Sequence, residues 1–245
     1  MTHLDTQGVY AKIAQAIEER QPFSLIRLGD GEARLIGYPS YISFPDLNQS
    51  LKYWYGTMKP DRDGISRLRA ELITACQGAD VLGLPSTEQQ SRNKFYKLMH
   101  HLAMVEGLAR GDTCHCGVHR WLYSEGLLYS LLRALSSVTL ITCRDVRDIF
   151  KNDLLIEEVR WIRVPQEAQM GQPSEQHYPN AHSRILRELD VGPGDVVLVG
   201  AGPNGKCYCN AAKRDGAVAL DIGSIFDLLA GVPSRSYIRV ELAGR

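Results

Sequence analysis

One short stretch of the chain, RLGDGE, places residues that could do chemistry at the end of an apolar run, FSLIRL. Asp30 and Glu32 lie two positions apart, so on an extended segment their side chains point to the same side. Two carboxylates offer the hard oxygen ligands that Mg²⁺ and Mn²⁺ prefer, and such an ion commonly binds substrate phosphates as well. Arg27 could bind a phosphate through its planar guanidinium, while Gly29 and Gly31 would let a ligand approach the backbone closely.

A structural interpretation of the same residues stays open. Asp30 could simply cap the helix that follows, because Asp is a preferred N-cap residue. Glu32 would then lie in the first helical turn, where a negative charge interacts favourably with the helix dipole. A motif of six residues does not by itself decide between this interpretation and a ligand site.

A second candidate motif is the glycine loop in DVVLVGAGPNGK, which follows a strand pattern and precedes a helix pattern. Gly200, Gly202 and Gly205 have the spacing of a nucleotide-binding loop, and Asp221 ends the next strand at the distance expected of a ribose-binding acid. The pattern is also typical of methyltransferases and NAD enzymes. Only a short tail follows Asp221, so a full dinucleotide fold would need its other strands from upstream. A tight strand–helix turn without a ligand is the structural alternative.

Two arginines and one polar loop add further candidates. Arg120 in VHRWLY and Arg144 in ITCRDVRDIF each follow a strand pattern, so both should face the ligand edge of a parallel sheet. They could bind phosphate, or could pair with Asp145 or Asp148. The polar loop at 165–177 is long enough to be functional. A substrate hydroxyl that attacks would need a base, and the candidates, which the sequence does not rank, are Glu175, His177 and Asp221.

A zinc site is a weaker possibility. Cys114, His115 and Cys116 are consecutive, with His119 nearby, but no second Cys/His cluster with normal spacing completes a four-ligand set. Buried, reduced cysteines and an ordinary loop histidine are the favoured interpretation.

The elements that must position these residues alternate between strand and helix. Helical patterns cover residues 6–20, 46–58, 64–77, 87–106 and 121–135, and strand patterns cover 23–28, 79–85, 137–143, 159–165, 195–200 and 217–223. Such alternation predicts an α/β, Rossmann-like fold with a mostly parallel sheet and helices on both faces. No linker divides the chain, so residues 1–245 are expected to form one domain.

Composition excludes several classes of protein. Lys plus Arg and Asp plus Glu both number 28 in 245 residues, which argues against a nucleic-acid-binding protein. The N-terminal segment has no basic region followed by an apolar one, and no run is long enough to span a membrane. We therefore expect a cytoplasmic protein whose six cysteines are reduced. Nothing in the sequence indicates its oligomeric state.

The motifs RLGDGE, VGAGPNGK and ALDIGS, in this order and separation, resemble the GT-D-fold glycosyltransferases, from about Phe23 to about Phe226. The stretches VHRWLY, ITCRDVRDIF and RWIRVP also fall where that family has comparable segments. The resemblance implies a transferase that uses a nucleotide diphosphate sugar, expected to be a UDP-sugar, and a glycan or glycoprotein acceptor in polysaccharide biosynthesis. The family's D-x-E motif, associated with a divalent cation and the donor diphosphate, matches Asp30-Gly31-Glu32. Ser224 stands where the family often has a histidine.

The sequence and the resemblance together predict a metal-dependent glycosyltransferase. Arg27, Asp30 and Glu32 are the expected catalytic residues, with Asp30 and Glu32 holding Mn²⁺ or Mg²⁺. The expected nucleotide-sugar-binding residues are Gly29, Gly31, Arg120, Arg144, Gly200, Gly202, Gly205, Lys206 and Asp221. Two alternatives remain: an S-adenosylmethionine-dependent methyltransferase that uses the glycine loop and Asp221 but leaves RLGDGE unexplained, and a non-catalytic nucleotide-binding domain.

Overall fold

A computed structural model describes residues 2–243 of the chain. Within them one sheet contains the strands β1 (His3–Leu4), β2 (Phe23–Arg27), β3 (Val81–Leu84), β4 (Asp112–His115), β5 (Ser137–Thr142), β6 (Glu158–Arg163), β7 (Val196–Gly200) and β8 (Val218–Asp221). Their order across the sheet is β1-β4-β3-β2-β8-β7-β5-β6, and each neighbouring pair runs parallel. The predicted α/β fold with a mostly parallel sheet is confirmed, and the sheet is parallel throughout the described residues.

Helices make most of the connections. They are α1 (Thr6–Glu18), α2 (Asp30–Gly37), α3 (Phe44–Tyr55), α4 (Arg62–Gln77), α5 (Thr87–Arg92), α6 (Lys94–Val105), α7 (Val118–Ser124), α8 (Leu127–Leu132), α9 (Arg147–Asn152), α10 (His182–Glu188), α11 (Asn204–Arg214), α12 (Ile225–Leu229) and α13 (Ser236–Ala243). A 3₁₀ turn (Ala168–Met170) and a π-helical turn (His177–Ala181) lie between β6 and α10. Over residues 2–243, no helix is long and apolar enough to cross a membrane.

The helices cover both faces of the sheet, as two neighbouring residues of β2 show. Leu25 and Ile26 are both fully buried, yet they belong to different hydrophobic clusters. Ile26 shares its cluster with Leu68 of α4, whereas Leu25 shares its cluster with Ile13 of α1. Successive residues of a strand point to opposite faces. The sheet therefore separates two apolar cores, each closed by its own set of helices.

The strand β2 lies in the interior of the sheet, between β3 and β8. Leu25 of β2 pairs with Val81 of β3 on one side and with Leu220 of β8 on the other. The strands β3, β4 and β1 extend in the first direction, and β8, β7, β5 and β6 extend in the second. In open parallel sheets ligands bind in a crevice outside the carboxyl ends of the strands. Arg27 and Asp221, the last residues of β2 and β8, lie at this place.

Local details differ from the sequence-based expectations. Asn93 divides the helix predicted at 87–106, because its side chain accepts a hydrogen bond from the Phe95 N–H at 2.9 Å and so caps α6. Gly126, with a φ of 74°, divides the helix predicted at 121–135 into α7 and α8. The sequence patterns give no bounds for the strands β1 and β4, because two residues and the polar stretch DTCH show no strand periodicity.

Candidate active site

A cavity of about 700 Å³ opens at the carboxyl edge of the sheet, where β2 and β8 end. Most of the binding and catalytic residues predicted from the sequence line it: Arg27, Gly29, Asp30, Gly31, Glu32, Arg120, Arg144, Gly200, Gly202, Lys206 and Asp221. Gly205 is the predicted binding residue that does not line it. The fold thus brings the acidic motif after β2 and the glycine loop after β7 to one place.

The acidic motif forms the start of a helix rather than an extended segment. Gly29 is the N-cap of α2, and Asp30 and Glu32 are its first and third residues. The Gly29 N–H donates to Glu32 Oε2 at 3.0 Å, so Glu32 satisfies a backbone donor at the helix start. The expectation of an extended segment with both side chains on one side is wrong. The alternative in which Asp30 caps the helix is also wrong, because Gly29 holds that position.

A chain of four charges, three of them buried and that of Arg27 mostly buried, links the two motifs. Arg27 Nη2 lies 3.0 Å from Asp221 Oδ1, and Lys206 Nζ lies 3.1 Å from Asp221 Oδ2. The same ammonium lies 3.1 Å from Glu32 Oε1. Two cations and two carboxylates alternate, so the formal charges of the cluster cancel. Because an unpaired buried charge is costly, each member depends on its neighbours.

The pKa values of this cluster reflect the pairing. Burial raises the pKa of Asp221, but the charges of Arg27 and Lys206 and their hydrogen bonds outweigh burial, so its pKa lies below the ordinary value. Burial lowers the pKa of Lys206, but Asp221 and Glu32 outweigh burial there too, and its pKa is raised. Asp221 is therefore a carboxylate and Lys206 an ammonium across the physiological pH range.

Arg27 is held by protein acceptors on every side of its guanidinium. Nε donates to the backbone oxygen of Asp221 at 2.7 Å, and Nη1 donates to the backbone oxygen of Cys116 at 3.0 Å. Nη1 also donates to His119 Nδ1 at 2.7 Å. Burial, together with the charge of Arg27, lowers the pKa of His119 well below its ordinary value, so the ring is neutral and can accept this bond. The arginine that the sequence suggested for phosphate is engaged by the protein itself.

Asp30 differs from Glu32 in being available to a ligand. Its side chain is 42% exposed, and its nearest cation, Arg34 Nη2, is 4.0 Å away. Glu32 has one oxygen on Lys206 and the other on the Gly29 N–H, although each carboxylate oxygen can accept more than one bond.

The carboxylates of Asp30 and Glu32 could supply only part of the ligands that a divalent cation needs. Among residues 2–243 no group of three or more His, Cys, Asp or Glu side chains could hold a metal ion. Mg²⁺ is commonly bound by one or two carboxylates, with substrate phosphates and water completing its shell. The open carboxylate of Asp30 matches the protein's share of such a site, and Glu32 lines the same cavity. The two carboxylates do not match a site made of protein ligands alone.

The glycines at the cavity are required for two different reasons, close packing and backbone conformation. A Cβ on Gly31 would overlap the Trp54 ring, and one on Gly200 would lie 2.7 Å from the backbone oxygen of Gly223. These two glycines are required by packing. Gly202 instead has a φ of +55°, which favours glycine, and a Cβ there would make only ordinary contacts with Glu167 and Trp54 at the cavity.

Arg120 and Arg144 both line the cavity, as the sequence predicts, but they differ in availability. Arg144 Nε donates to Asp227 Oδ1 at 2.7 Å, so its partner is neither Asp145 nor Asp148. The guanidinium of Arg120 lies over the Tyr237 ring, 4.9 Å from the ring centre, and has no hydrogen-bonded or ion-paired partner within residues 2–243. Arg120 is thus a cation that faces the cavity with its donors free.

One wall of the cavity holds residues that the sequence reasoning missed. Arg235 Nη2 lies 3.1 Å from Glu167 Oε2, and Arg235 Nη1 donates to the Tyr53 hydroxyl at 2.6 Å. The hydroxyls of Ser224 and Tyr237 are 2.7 Å apart. The aromatic run YWY at 53–55 was the available signal, but it is equally typical of a core helix.

The three candidate bases differ in whether they line the cavity and in whether a cation is paired with them. His177 lines the cavity. Glu175 pairs with Arg184 and does not line it. Asp221 has both oxygens engaged by cations. The zinc alternative finds no support in the described residues: the cysteines are free, and the His115 ring packs on Trp121, 4.7 Å between centres.

The comparisons with known proteins agree with this fold. The family described as GT-D fold-like domain matches residues 4–229. A glycosyltransferase (DUF1792) from Streptococcus sanguinis is 19% identical with a TM-score of 0.57, over 93% of this chain and 82% of that one. A selenomethionine-substituted structure of domain of unknown function 1792 is 18% identical, also with a TM-score of 0.57, over 93% of this chain and 79% of its own. A search of curated proteins finds no match.

At such identities the solved structures show a shared fold, which one of them describes as a distinct glycosyltransferase fold. The family match is stronger evidence of relationship, because it covers all but the ends of the chain and includes every residue of the charged cluster. The chain therefore belongs to the GT-D-like family and has a glycosyltransferase fold.

Proposed function

We propose that this protein transfers a sugar from a nucleoside diphosphate sugar, a UDP-sugar, to a hydroxyl of a glycan or glycoprotein, with Mn²⁺ or Mg²⁺ as cofactor. One observation carries the proposal. At the edge of the sheet where ligands bind, the open carboxylate of Asp30 and the free guanidinium of Arg120 line one cavity. A cation held by Asp30 and a diphosphate held by Arg120 would complement each other there.

The residues take distinct roles in this proposal. Asp30, with Glu32 as a second carboxylate that lines the same cavity, would hold the metal ion, which when bound stabilises the negative charge of a departing diphosphate. Arg120 would donate its two-pronged hydrogen bonds to phosphate oxygens. Arg144 lines the same cavity but forms an ion pair with Asp227. It would therefore act on the phosphates more through its positive charge than through hydrogen bonds.

The buried members of the charged cluster would act by positioning. Arg27 and Lys206 fix Asp221, and Lys206 fixes Glu32 at the start of α2. The N-terminus of α2 then faces the cavity, and its partial positive charge favours an anionic ligand. Preorganised charge of this kind requires little rearrangement when negative charge develops on the leaving group.

The methyltransferase alternative is weakened by the same cluster. A ribose-binding acid needs accessible oxygens, whereas Asp221 is only 3% exposed and each of its oxygens is paired with a cation. A non-catalytic nucleotide-binding domain would use the same cavity and differs from our proposal only in turnover.

A thermal-shift panel tests the proposal against both alternatives. UDP, GDP, NAD and S-adenosylmethionine are each added with Mn²⁺ and with a chelator. A ligand at ~100 times its dissociation constant adds ~2.7 kcal/mol of stability. We expect UDP with Mn²⁺ to give the largest shift, and release of UDP from a panel of UDP-sugars to show turnover. Stabilisation by S-adenosylmethionine alone would contradict the proposal, and UDP binding without turnover of any sugar would favour the non-catalytic domain.

A further inference from the structure

His177 occupies a defined place beside the cavity. It begins the π-helical turn that follows the polar loop after β6, and its side chain lines the cavity while remaining largely buried. Its ring packs against that of Tyr55 from α3, with 5.1 Å between ring centres. The ring is therefore held in one orientation by packing.

Hydrogen bonding assigns the proton on this ring. His177 Nε2 lies 3.0 Å from the backbone oxygen of Gln166, and a carbonyl oxygen can only accept. Nε2 must therefore carry the hydrogen, and in the neutral ring Nδ1 is then the atom with the free lone pair.

The nitrogen with the free lone pair, Nδ1, is accessible. No hydrogen bond engages Nδ1 within residues 2–243. The buried side-chain atoms without a partner in this part of the chain are Ser24 Oγ, Arg34 Nε and His182 Nδ1, and His177 Nδ1 is not one of them. Nδ1 therefore keeps some accessible surface, and His177 is one of the residues that line the cavity.

The surroundings keep the ring neutral. Burial lowers the pKa of His177, although the bond to Gln166 and the charge of Glu175 act in the opposite direction. Tyr55 presents an uncharged ring, and its hydroxyl donates to Asn204 Oδ1 at 2.7 Å. A neutral imidazole can accept a proton at physiological pH.

The backbone of His177 is fixed as well. Asn204 Nδ2 donates to the His177 backbone oxygen at 3.4 Å, which ties the π-helical turn to the start of α11 beside the glycine loop. Two other acidic groups of the cavity are paired with cations, Glu167 with Arg235 and Asp227 with Arg144, and Asp30 is assigned to the metal ion in our proposal.

We propose that His177 Nδ1 is the general base that accepts the proton of the acceptor hydroxyl. This inference rests on the proposed glycosyl transfer. As the acceptor oxygen forms its bond to the anomeric carbon, its proton moves to Nδ1. The bond between the anomeric carbon and the diphosphate oxygen breaks, and its electron pair leaves with the UDP. The resulting imidazolium then returns the proton to water.

The test uses a substitution that keeps the structural bond and removes the base. In His177→Gln the amide NH₂ can still donate to the Gln166 backbone oxygen, but the side chain cannot take up a proton. UDP release from UDP-sugars, with water as the acceptor and Mn²⁺ present, is followed across pH for the wild type and for His177→Gln. His100→Gln, an exposed change on α6, is the matched control. Calorimetry measures UDP affinity in all three proteins.

We expect His177→Gln to bind UDP as the wild type does and to release it ~10²-fold or more slowly, as typical for loss of a general base. The fall in wild-type rate on the acid side should disappear in this variant. Nitrogen NMR of the free protein should show hydrogen on Nε2 and none on Nδ1. A rate within about twofold of the wild type, or a hydrogen on Nδ1, would overturn the inference. A wild-type protein that binds no UDP would instead overturn the proposed function.

Discussion

The Lys206 ammonium lies 3.1 Å from the Glu32 carboxylate, which joins the first turn of α11 to the first turn of α2. Two motifs far apart in the chain therefore share one buried ion pair. Their joining depends on β2 and β8 being neighbours in the sheet, because Asp221 at the end of β8 completes the contact.

Loss of this ammonium should destabilise the protein. Lys206→Met leaves two buried carboxylates without their shared cation, and breaking a buried pair in this way typically costs about 3–5 kcal/mol. Urea unfolding measures the free energy of unfolding. The matched control is Lys213→Met, since Lys213 pairs with Asp80 at 2.7 Å at a partly exposed site where a loss of about 1 kcal/mol or less is typical. Equal losses in the two variants would show that the cluster is not a stabilising unit.

Arg120 and Arg144 should respond differently to the same substitution. Arg120→Gln removes a guanidinium that has no ion-paired partner within residues 2–243, so we expect UDP affinity to fall about tenfold, or about 1.4 kcal/mol, with little change in melting temperature. Arg144→Gln leaves Asp227 without its cation, so melting temperature should fall. Calorimetry and thermal unfolding give the two quantities. The opposite pattern, with stability lost in Arg120→Gln and affinity lost in Arg144→Gln, would contradict the assignment.

His119 should make stability depend on pH below 6.5. Burial and the neighbouring Arg27 hold its pKa well below the ordinary value of 6.5, so the unfolded chain binds this proton more readily than the folded one. Its contribution is therefore complete above pH 6.5 and is lost as the pH falls toward the folded pKa, at up to about 1.4 kcal/mol per pH unit.

His119→Gln keeps an oxygen that can accept from Arg27 and removes the titration. The free energy of unfolding of this variant should fall less steeply between pH 6.5 and 5 than that of the wild type. A slope equal to that of the wild type would mean that His119 is already protonated in the folded protein or does not titrate in this range.

A contact of the site could be predicted only where a local sequence pattern determines it. The buried runs of β2, β7 and β8 are visible as continuous apolar stretches, and their carboxyl ends place Arg27, Gly200 and Asp221 at one edge. Which charged side chains pair with one another is not visible in this way, because it depends on the order of the strands in the sheet. Arg27 meets Asp221 only because β8 inserts next to β2, and no local pattern predicts that insertion.

Side-chain packing could not be predicted from the sequence either. Gly31 is explained by the Trp54 ring that occupies the place of its missing Cβ, and this contact joins α2 to α3. Arg144 pairs with Asp227 of α12, and Arg120 lies over the ring of Tyr237 of α13. Both helices follow the last strand, so local sequence patterns do not predict these contacts. The cytoplasmic location and the single domain over 1–245 stay predictions.

The central claim is that Asp30 binds a metal ion that in turn binds the donor diphosphate. UDP titrations by calorimetry, with Mn²⁺ and with a chelator, in the wild type and in Asp30→Asn, test it most directly. Because the Asp30 side chain is 42% exposed and its nearest cation is 4.0 Å away, the variant should unfold at nearly the wild-type temperature. We predict that Mn²⁺ strengthens UDP binding at least about tenfold in the wild type and has no effect in Asp30→Asn. Equal UDP affinity with and without metal in the wild type, or full metal enhancement in Asp30→Asn, would contradict the account.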